Sequence, residues 1–182
     1  MFSYQLLDEH AGLLLIGDYS TLWLLRDILF DVEKRAPFLQ DKDSFLALAY
    51  DARKAYEGKR EILSAPEHSP ELGIRYGVEI LWPVLIVQAR MLRVSLGYVD
   101  HSKRHQAITY ALEAVIEDGL KADFGQNAPE IIEAWQRLDQ QDASILDMLD
   151  GMAEEFNTWN AQQREKRLVK LLLPPWLRDD NE

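Results

Sequence analysis

The alternation of apolar and polar residues predicts strands in the first half of the chain. FSYQL at residues 2–6 alternates apolar with polar positions, and LLLIG at residues 13–17 follows a turn as a second apolar run. LGIRYGVEI at residues 72–80 has a strict period of two, and REILSA at residues 60–65 precedes it as a hairpin partner. The pattern therefore predicts about four short strands, arranged as two hairpins.

Helical spacing of apolar residues predicts that most of the remaining chain is helical. We expect the main helices to begin after Gly17, near Asp43, at Trp82 or Pro83, in the His101–His105 segment, and at Pro129. Asp18 or Ser20 is expected to cap the first of them, and Asn127 the last. From Ser144 the apolar residues step by 4, 3, 4 and 3, the spacing of a helix-packing seam, and they are Ile145, Leu149, Met152, Phe156 and Trp159.

Strands followed by helices predict an α+β fold. In it, a small antiparallel sheet of about four strands, from the N-terminal half, packs against a predominantly helical remainder. An all-helical fold is the alternative, and LGIRYGVEI is the segment that decides between the two. Because no internal repeat or long linker divides the chain, we expect a single globular domain over residues 1–182.

Composition excludes several classes of protein. With 20 basic and 31 acidic residues the net charge is −11, which disfavours a nucleic-acid partner. The longest apolar run, residues 80–87, is far shorter than the roughly 20 residues of a membrane-spanning helix, so no membrane association is expected. The absence of cysteine rules out disulfides and thiolate sites, and the N-terminal residues lack the pattern of a secretory signal. A cytoplasmic protein is the simplest expectation.

His101 and His105 form the strongest candidate for metal chemistry. Four residues apart on a helix, their imidazoles would approach closely enough to share one zinc or nickel ion. Lys103 and Arg104 lie between them, however, and no HExxH motif or nearby glutamate supplies a third ligand. A small metal-assisted hydrolase that uses this pair is therefore the alternative interpretation, and an exposed helix start is the preferred one.

No other motif indicates catalysis. The chain contains neither GxxxxGK nor GxGxxG, so the familiar phosphate-binding loops are excluded, and it has no GxSxG nucleophile elbow. No spacing selects a pair of carboxylates as acid and base. The sequence therefore favours a protein that is not an enzyme and carries no cofactor.

One face of the predicted strand at residues 72–80 is a candidate binding surface. Gly73 and Gly77 on this face leave room for a ligand or another backbone. Arg75 and Glu79 flank the gap at about 13 Å from each other, by roughly 3.3 Å per residue. In the preferred interpretation, however, both side chains pair with charges on a neighbouring strand of a solvent-facing sheet.

Tryptophan is abundant for a chain of this length, and the five are Trp23, Trp82, Trp135, Trp159 and Trp176. Most are expected in the core, but Trp23 lies beside an apolar stripe and Trp159 ends the seam, so both are candidate interface residues. The leading hypothesis is a non-catalytic, cytoplasmic protein that binds another protein or a second copy of itself. An acidic neutraliser of a basic protein would be one specific form of it.

Overall fold

The computed structural model describes residues 1–39, 42–65, 67–138 and 144–173. In chain order the elements are β1 (Ser3–Leu6), β2 (Gly12–Gly17), α1 (Tyr19–Arg35), α2 (Asp43–Tyr56), β3 (Glu61–Leu63), β4 (Arg75–Leu81), α3 (Trp82–Ser95), α4 (Lys103–Phe124), α5 (Ala128–Arg137), α6 (Ser144–Asp147), α7 (Leu149–Thr158) and α8 (Ala161–Leu172). Four strands near the N-terminus and a mainly helical remainder confirm the predicted α+β fold.

The four strands form one antiparallel sheet in the order β1-β2-β4-β3. The two predicted hairpins are joined along β2 and β4, where Gly12 lies opposite Leu81 and Gly17 opposite Tyr76. Gly12 allows this close pairing, because a Cβ at that position would lie only 2.0 Å from the carbonyl oxygen of Ile80.

Strand β4 begins later than the alternation predicts. Pro70–Leu72 form a short 3-10 turn that ends at Gly73, whose φ of 65° is incompatible with an extended strand. Leu72 and Ile74 are consequently exposed, and only the part of the pattern from Tyr76 onward contributes to the apolar face. The prediction was wrong for the first residues of the segment, because a period of two does not reveal a positive φ.

Helix ends follow the expected chemistry in part. Asp18 caps α1, with its Oδ1 accepting a hydrogen bond from the Thr21 amide at 2.9 Å. Asn127 makes no side-chain cap to α5; its amide donates instead to Glu165 on α8 at 3.1 Å. The predicted capping role of Asn127 was therefore wrong, because a tertiary partner takes the side chain.

The seam that starts at Ser144 is divided between two helices. A turn at Met148 separates α6 from α7, and Trp159 lies just beyond the end of α7 with extended backbone angles. Four of the five seam residues are nevertheless buried, and they are Leu149, Met152, Phe156 and Trp159. The spacing thus predicted burial correctly but did not predict the break.

The core lies between one face of the sheet and the helices. Leu13, Leu15 and Val78 belong to the same buried cluster as residues of α1 to α5. Helix α3 follows β4 directly and has eleven buried residues, which places it centrally in this arrangement. The outer faces of α1 and α4 are left at the surface.

Candidate functional site

Trp23 lies on the outer side of α1 and borders a groove between α1 and the start of α4. Leu22 and Leu25 are fully buried, so the 100° step of the helix carries Trp23 away from the core, and 40% of it remains exposed. The groove encloses about 440 Å³. Its lining residues are Tyr19, Ser20, Thr21, Trp23 and Leu24 from α1 and Arg104 and Ile108 from α4.

Tyr19 extends the aromatic surface of Trp23 by one helical turn. It is half exposed, and its ring makes an edge contact with Tyr56 of α2 at 5.0 Å between centroids. That contact fixes one edge of Tyr19 and leaves the other free. Aromatic side chains have few rotatable bonds, so Tyr19 and Trp23 offer apolar contact area with little conformational entropy to lose on binding.

The groove has a positive end. Arg104 is the one charged lining residue, it is exposed, and it has no ion pair or hydrogen bond within the described part of the chain. Arg104 also lies in the first turn of α4, where unpaired backbone N–H groups and the helix dipole add partial positive charge. This end of the groove therefore favours a negatively charged group.

Asp18 lies beside the groove, but its carboxylate already accepts hydrogen bonds from Thr21 and Met1. Partial burial acts to raise the pKa of Asp18, but hydrogen bonds from the Thr21 amide and hydroxyl and from the amino group of Met1 outweigh it and lower the pKa to about 2. The carboxylate thus stabilises the first turn of α1 and accepts from Met1 at 3.1 Å.

Trp159, the other tryptophan proposed as an interface residue, is 9% exposed. Its ring packs against Phe156 at 5.7 Å between centroids and lies 6.0 Å from the guanidinium of Arg167. The structure therefore places Trp159 against α7 and α8 and far less exposed than Trp23. Trp176 lies outside the described residues.

Of the two charged residues predicted to flank a gap, Glu79 borders a groove of about 360 Å³, whereas Arg75 is held by backbone groups. Arg75 donates to the backbone carbonyls of Met1 at 2.8 Å and Ile16 at 3.4 Å, whereas Glu79 is exposed. Gly77 lines the same groove, together with Leu14 of β2 and Asp51 of α2. Leu14 packs directly over Gly77, since its Cδ1 lies 2.8 Å from where a Cβ at Gly77 would be. A side chain of the neighbouring strand thus occupies the position over Gly77, and ligand binding at this face stays a prediction.

His101 and His105 lie at the start of α4, with His101 before the helix and His105 in its first turn. Ser102 caps the helix by accepting from the His105 amide at 3.2 Å. Both ring nitrogens of His101 already contact protein groups, Nδ1 the carbonyl of Val99 and Nε2 the amide of Gln106. Within the described ranges, no three His, Asp or Glu side chains are grouped closely enough to hold a metal ion.

The sequence did not predict a buried contact between His10 and Asp123. Nδ1 of His10 lies 2.8 Å from Oδ1 of Asp123, and the indole of Trp82 donates to Oδ2 at 2.7 Å. Glu9 and His10 both have positive φ, and Arg164 donates to the carbonyl of Glu9 at 3.1 Å. No signal in the sequence links residues 113 positions apart. The Asp123 carboxylate thus connects the β1–β2 turn with the first residue of α3.

No described helix is both long enough and apolar enough to cross a membrane. Comparison with curated proteins and with solved structures finds no significant match. A family model does match, over residues 2–174, which is nearly the full length. The chain belongs to the family described as Domain of unknown function (DUF6904).

Proposed function

We propose that this protein is a non-catalytic binding protein that recognises a partner protein through the groove bordered by Trp23. The observation that carries the proposal is the meeting of Tyr19, Trp23 and Arg104 around one groove. Tryptophan, tyrosine and arginine are the residue types most enriched among the residues that dominate binding energy at protein interfaces. Partial exposure of both aromatic rings leaves apolar area that a partner would bury.

The charge around the groove favours a partner segment that is apolar and acidic. Arg104 has no counter-ion in the described residues, and the first turn of α4 adds to its field. At physiological salt, charges more than about 8 Å apart are largely screened, so contacts at the groove respond to Arg104 more than to the net charge of −11. A partner carboxylate placed at Arg104, beside apolar side chains on Trp23 and Tyr19, matches this arrangement.

The composition suggests two other kinds of partner, a basic protein and a second copy of the chain. A basic partner would be attracted by the net charge of −11 over distance, but at this groove it would meet Arg104. A second copy of the chain carries the same net charge of −11, so the two copies would repel each other at long range. We therefore favour a different protein with an acidic and apolar segment, acting in the cytoplasm, where a chain without cysteine needs no oxidising environment.

A peptide selection tests the proposal without requiring that the partner be identified. A random peptide library is selected against the immobilised full chain, and the enriched peptides are assayed individually. We expect apolar peptides that contain Asp or Glu, and we expect Trp23→Ala to weaken their binding by about 30-fold, corresponding to roughly 2 kcal/mol at an interface hot spot. Tyr98→Ala is the matched control, since Tyr98 is also an exposed aromatic residue but packs on Phe38, away from the groove.

Three results would count against the proposal. Enrichment of basic peptides would favour the neutraliser hypothesis, and binding that survives Trp23→Ala would place the site elsewhere. A dimer in sedimentation equilibrium that Trp23→Ala dissociates would replace the heterologous partner with a second copy.

The metal-assisted hydrolase gains no specific support from the geometry. It requires His101 to release one of two protein contacts, and no third ligand stands near the pair within the described ranges. The hypothesis stays a prediction, which metal analysis of the parent and of His105→Ala would test.

A further inference from the structure

A second cavity lies between α3, α4 and α5, away from Trp23. It encloses about 360 Å³ and is lined by Arg90 and Arg93 from α3, Glu113 and Glu117 from α4, and Trp135 and Gln136 from α5. Four charged side chains thus face one space between the three helices. Their pairing determines what the cavity can hold.

Three of the four charges have a partner, and Arg90 does not. Arg93 donates to both carboxylate oxygens of Glu113, at 2.7 and 2.5 Å, and its guanidinium lies over the ring of Tyr110. Glu117 pairs with Lys121 at 3.5 Å. Arg90 has no hydrogen bond or ion pair among the described residues, so the cluster carries a net charge of +1 when Lys121, the partner of Glu117, is counted with it.

Two buried donors beside this charge also lack acceptors. They are Nε of Arg90 and Nε1 of Trp135, and both atoms are closed to solvent. Trp135 as a whole is only 3% exposed. A buried donor without an acceptor is destabilising, so an acceptor that reaches these two atoms on binding would satisfy them.

Partial burial destabilises the charged form of the Arg90 guanidinium. It lowers the pKa of Arg90, Glu113 acts to raise it, and Arg93 lowers it further. A guanidinium that is partly withdrawn from water and faces a second guanidinium is stabilised by an anion that replaces the lost hydration.

We infer that the cavity between α3, α4 and α5 is a binding site for a small organic carboxylate, which Arg90 holds and the indole of Trp135 flanks. A carboxylate matches the guanidinium fork of Arg90 in geometry. It also matches in charge: one negative charge neutralises Arg90, whereas a phosphate dianion would leave an excess beside Glu113 and Glu117. The inference is independent of the proposed protein-binding groove.

Nuclear magnetic resonance of the full chain tests the inference at the two donors themselves. The side-chain N–H signals of Arg90 and Trp135 are assigned by Arg90→Gln and Trp135→Phe, and sodium benzoate is then titrated. We expect both signals to shift in a saturable manner, while the indole signal of Trp23 stays unchanged as an internal control. Inorganic phosphate at the same ionic strength should shift them far less.

Variants separate a built site from weak surface binding. Arg90→Gln should weaken benzoate binding at least tenfold, whereas Arg137→Gln, which removes an exposed arginine on α5, should leave it unchanged. Arg93→Gln should also weaken binding, because it frees Glu113 to pair with Arg90. Linear, unsaturated shifts, or saturation by phosphate alone, would overturn the inference. Binding that appears only in Glu117→Gln would overturn it as well, by showing that Glu117 is the counter-ion of Arg90.

Discussion

Asp123 in the last turn of α4 accepts a hydrogen bond from the indole nitrogen of Trp82, the first residue of α3, at 2.7 Å. The other oxygen of the same carboxylate contacts His10 in the β1–β2 connection. Trp82 is completely buried, and the Asp123 side chain is nearly so. One carboxylate thus joins the first hairpin to the two central helices.

Removal of this carboxylate should destabilise the fold. Asp123→Ala leaves the Trp82 indole and Nδ1 of His10 without their partner, and we expect the free energy of unfolding to fall by about 2–4 kcal/mol. Asp123→Asn keeps an acceptor for one of the two groups and should cost about half as much. Urea unfolding at neutral pH measures both variants, and an Asp123→Ala midpoint equal to that of the parent would contradict the assignment.

Close packing at Gly119 should make even alanine unfavourable there. A Cβ at Gly119 would lie 2.9 Å from Cη2 of Trp82 and 3.2 Å from Cδ2 of Leu13. Gly119→Ala should therefore lower the stability by about 1–3 kcal/mol, although alanine is the better helix former. Gly151→Ala is the matched control on α7, because a Cβ there meets open space, and it should raise the stability by up to about 1 kcal/mol. Thermal unfolding of the two variants should change in opposite directions, and a stabilised Gly119→Ala would contradict the packing.

The cap of α1 should give a pH-dependent contribution to stability. The pKa of Asp18 is lowered from 3.8 to about 2 in the folded chain, so the ionised carboxylate favours folding above pH 3.8, and this contribution is lost as the pH falls through about 2. Asp18→Ala should cost about 0.5–2 kcal/mol at pH 7. Its stability difference from the parent should shrink between pH 4 and pH 2, as followed by urea unfolding at each pH. A difference that stays constant over that range would refute the role of the ionised cap.

The elements that local patterns dictate were predictable. The alternation in β1 and in the second part of β4 and the apolar run of β2 predicted these strands, and the Asp18 cap and the Pro83 start of α3 follow from backbone chemistry alone. The late start of β4 was not predictable, because a positive φ at Gly73 leaves no trace in an apolar pattern.

The site residues depended on tertiary neighbours, which a single sequence does not contain. Trp23 and Trp159 both border apolar stripes, yet α8 and Phe156 cover only the second. Leu14 of another strand packs over Gly77, a contact that the alternation of residues 72–80 does not reveal. Arg90 is a signal that the sequence analysis did not use, because an arginine within the mostly apolar helix α3 requires a partner. The sequence does not show whether the fold supplies that partner.

The proposed binding of an acidic partner is tested most directly by reversing the charge at Arg104. The best acidic peptide from the selection is assayed against the parent and Arg104→Glu, together with a matched peptide in which its acidic residues are replaced by lysine. Because Arg104 is exposed, its substitution should alter stability by no more than about 0.5 kcal/mol. We predict that Arg104→Glu weakens the acidic peptide at least about tenfold and strengthens the lysine peptide, because the sign of the contact is reversed. Equal binding of the acidic peptide to the parent and to Arg104→Glu would contradict the account.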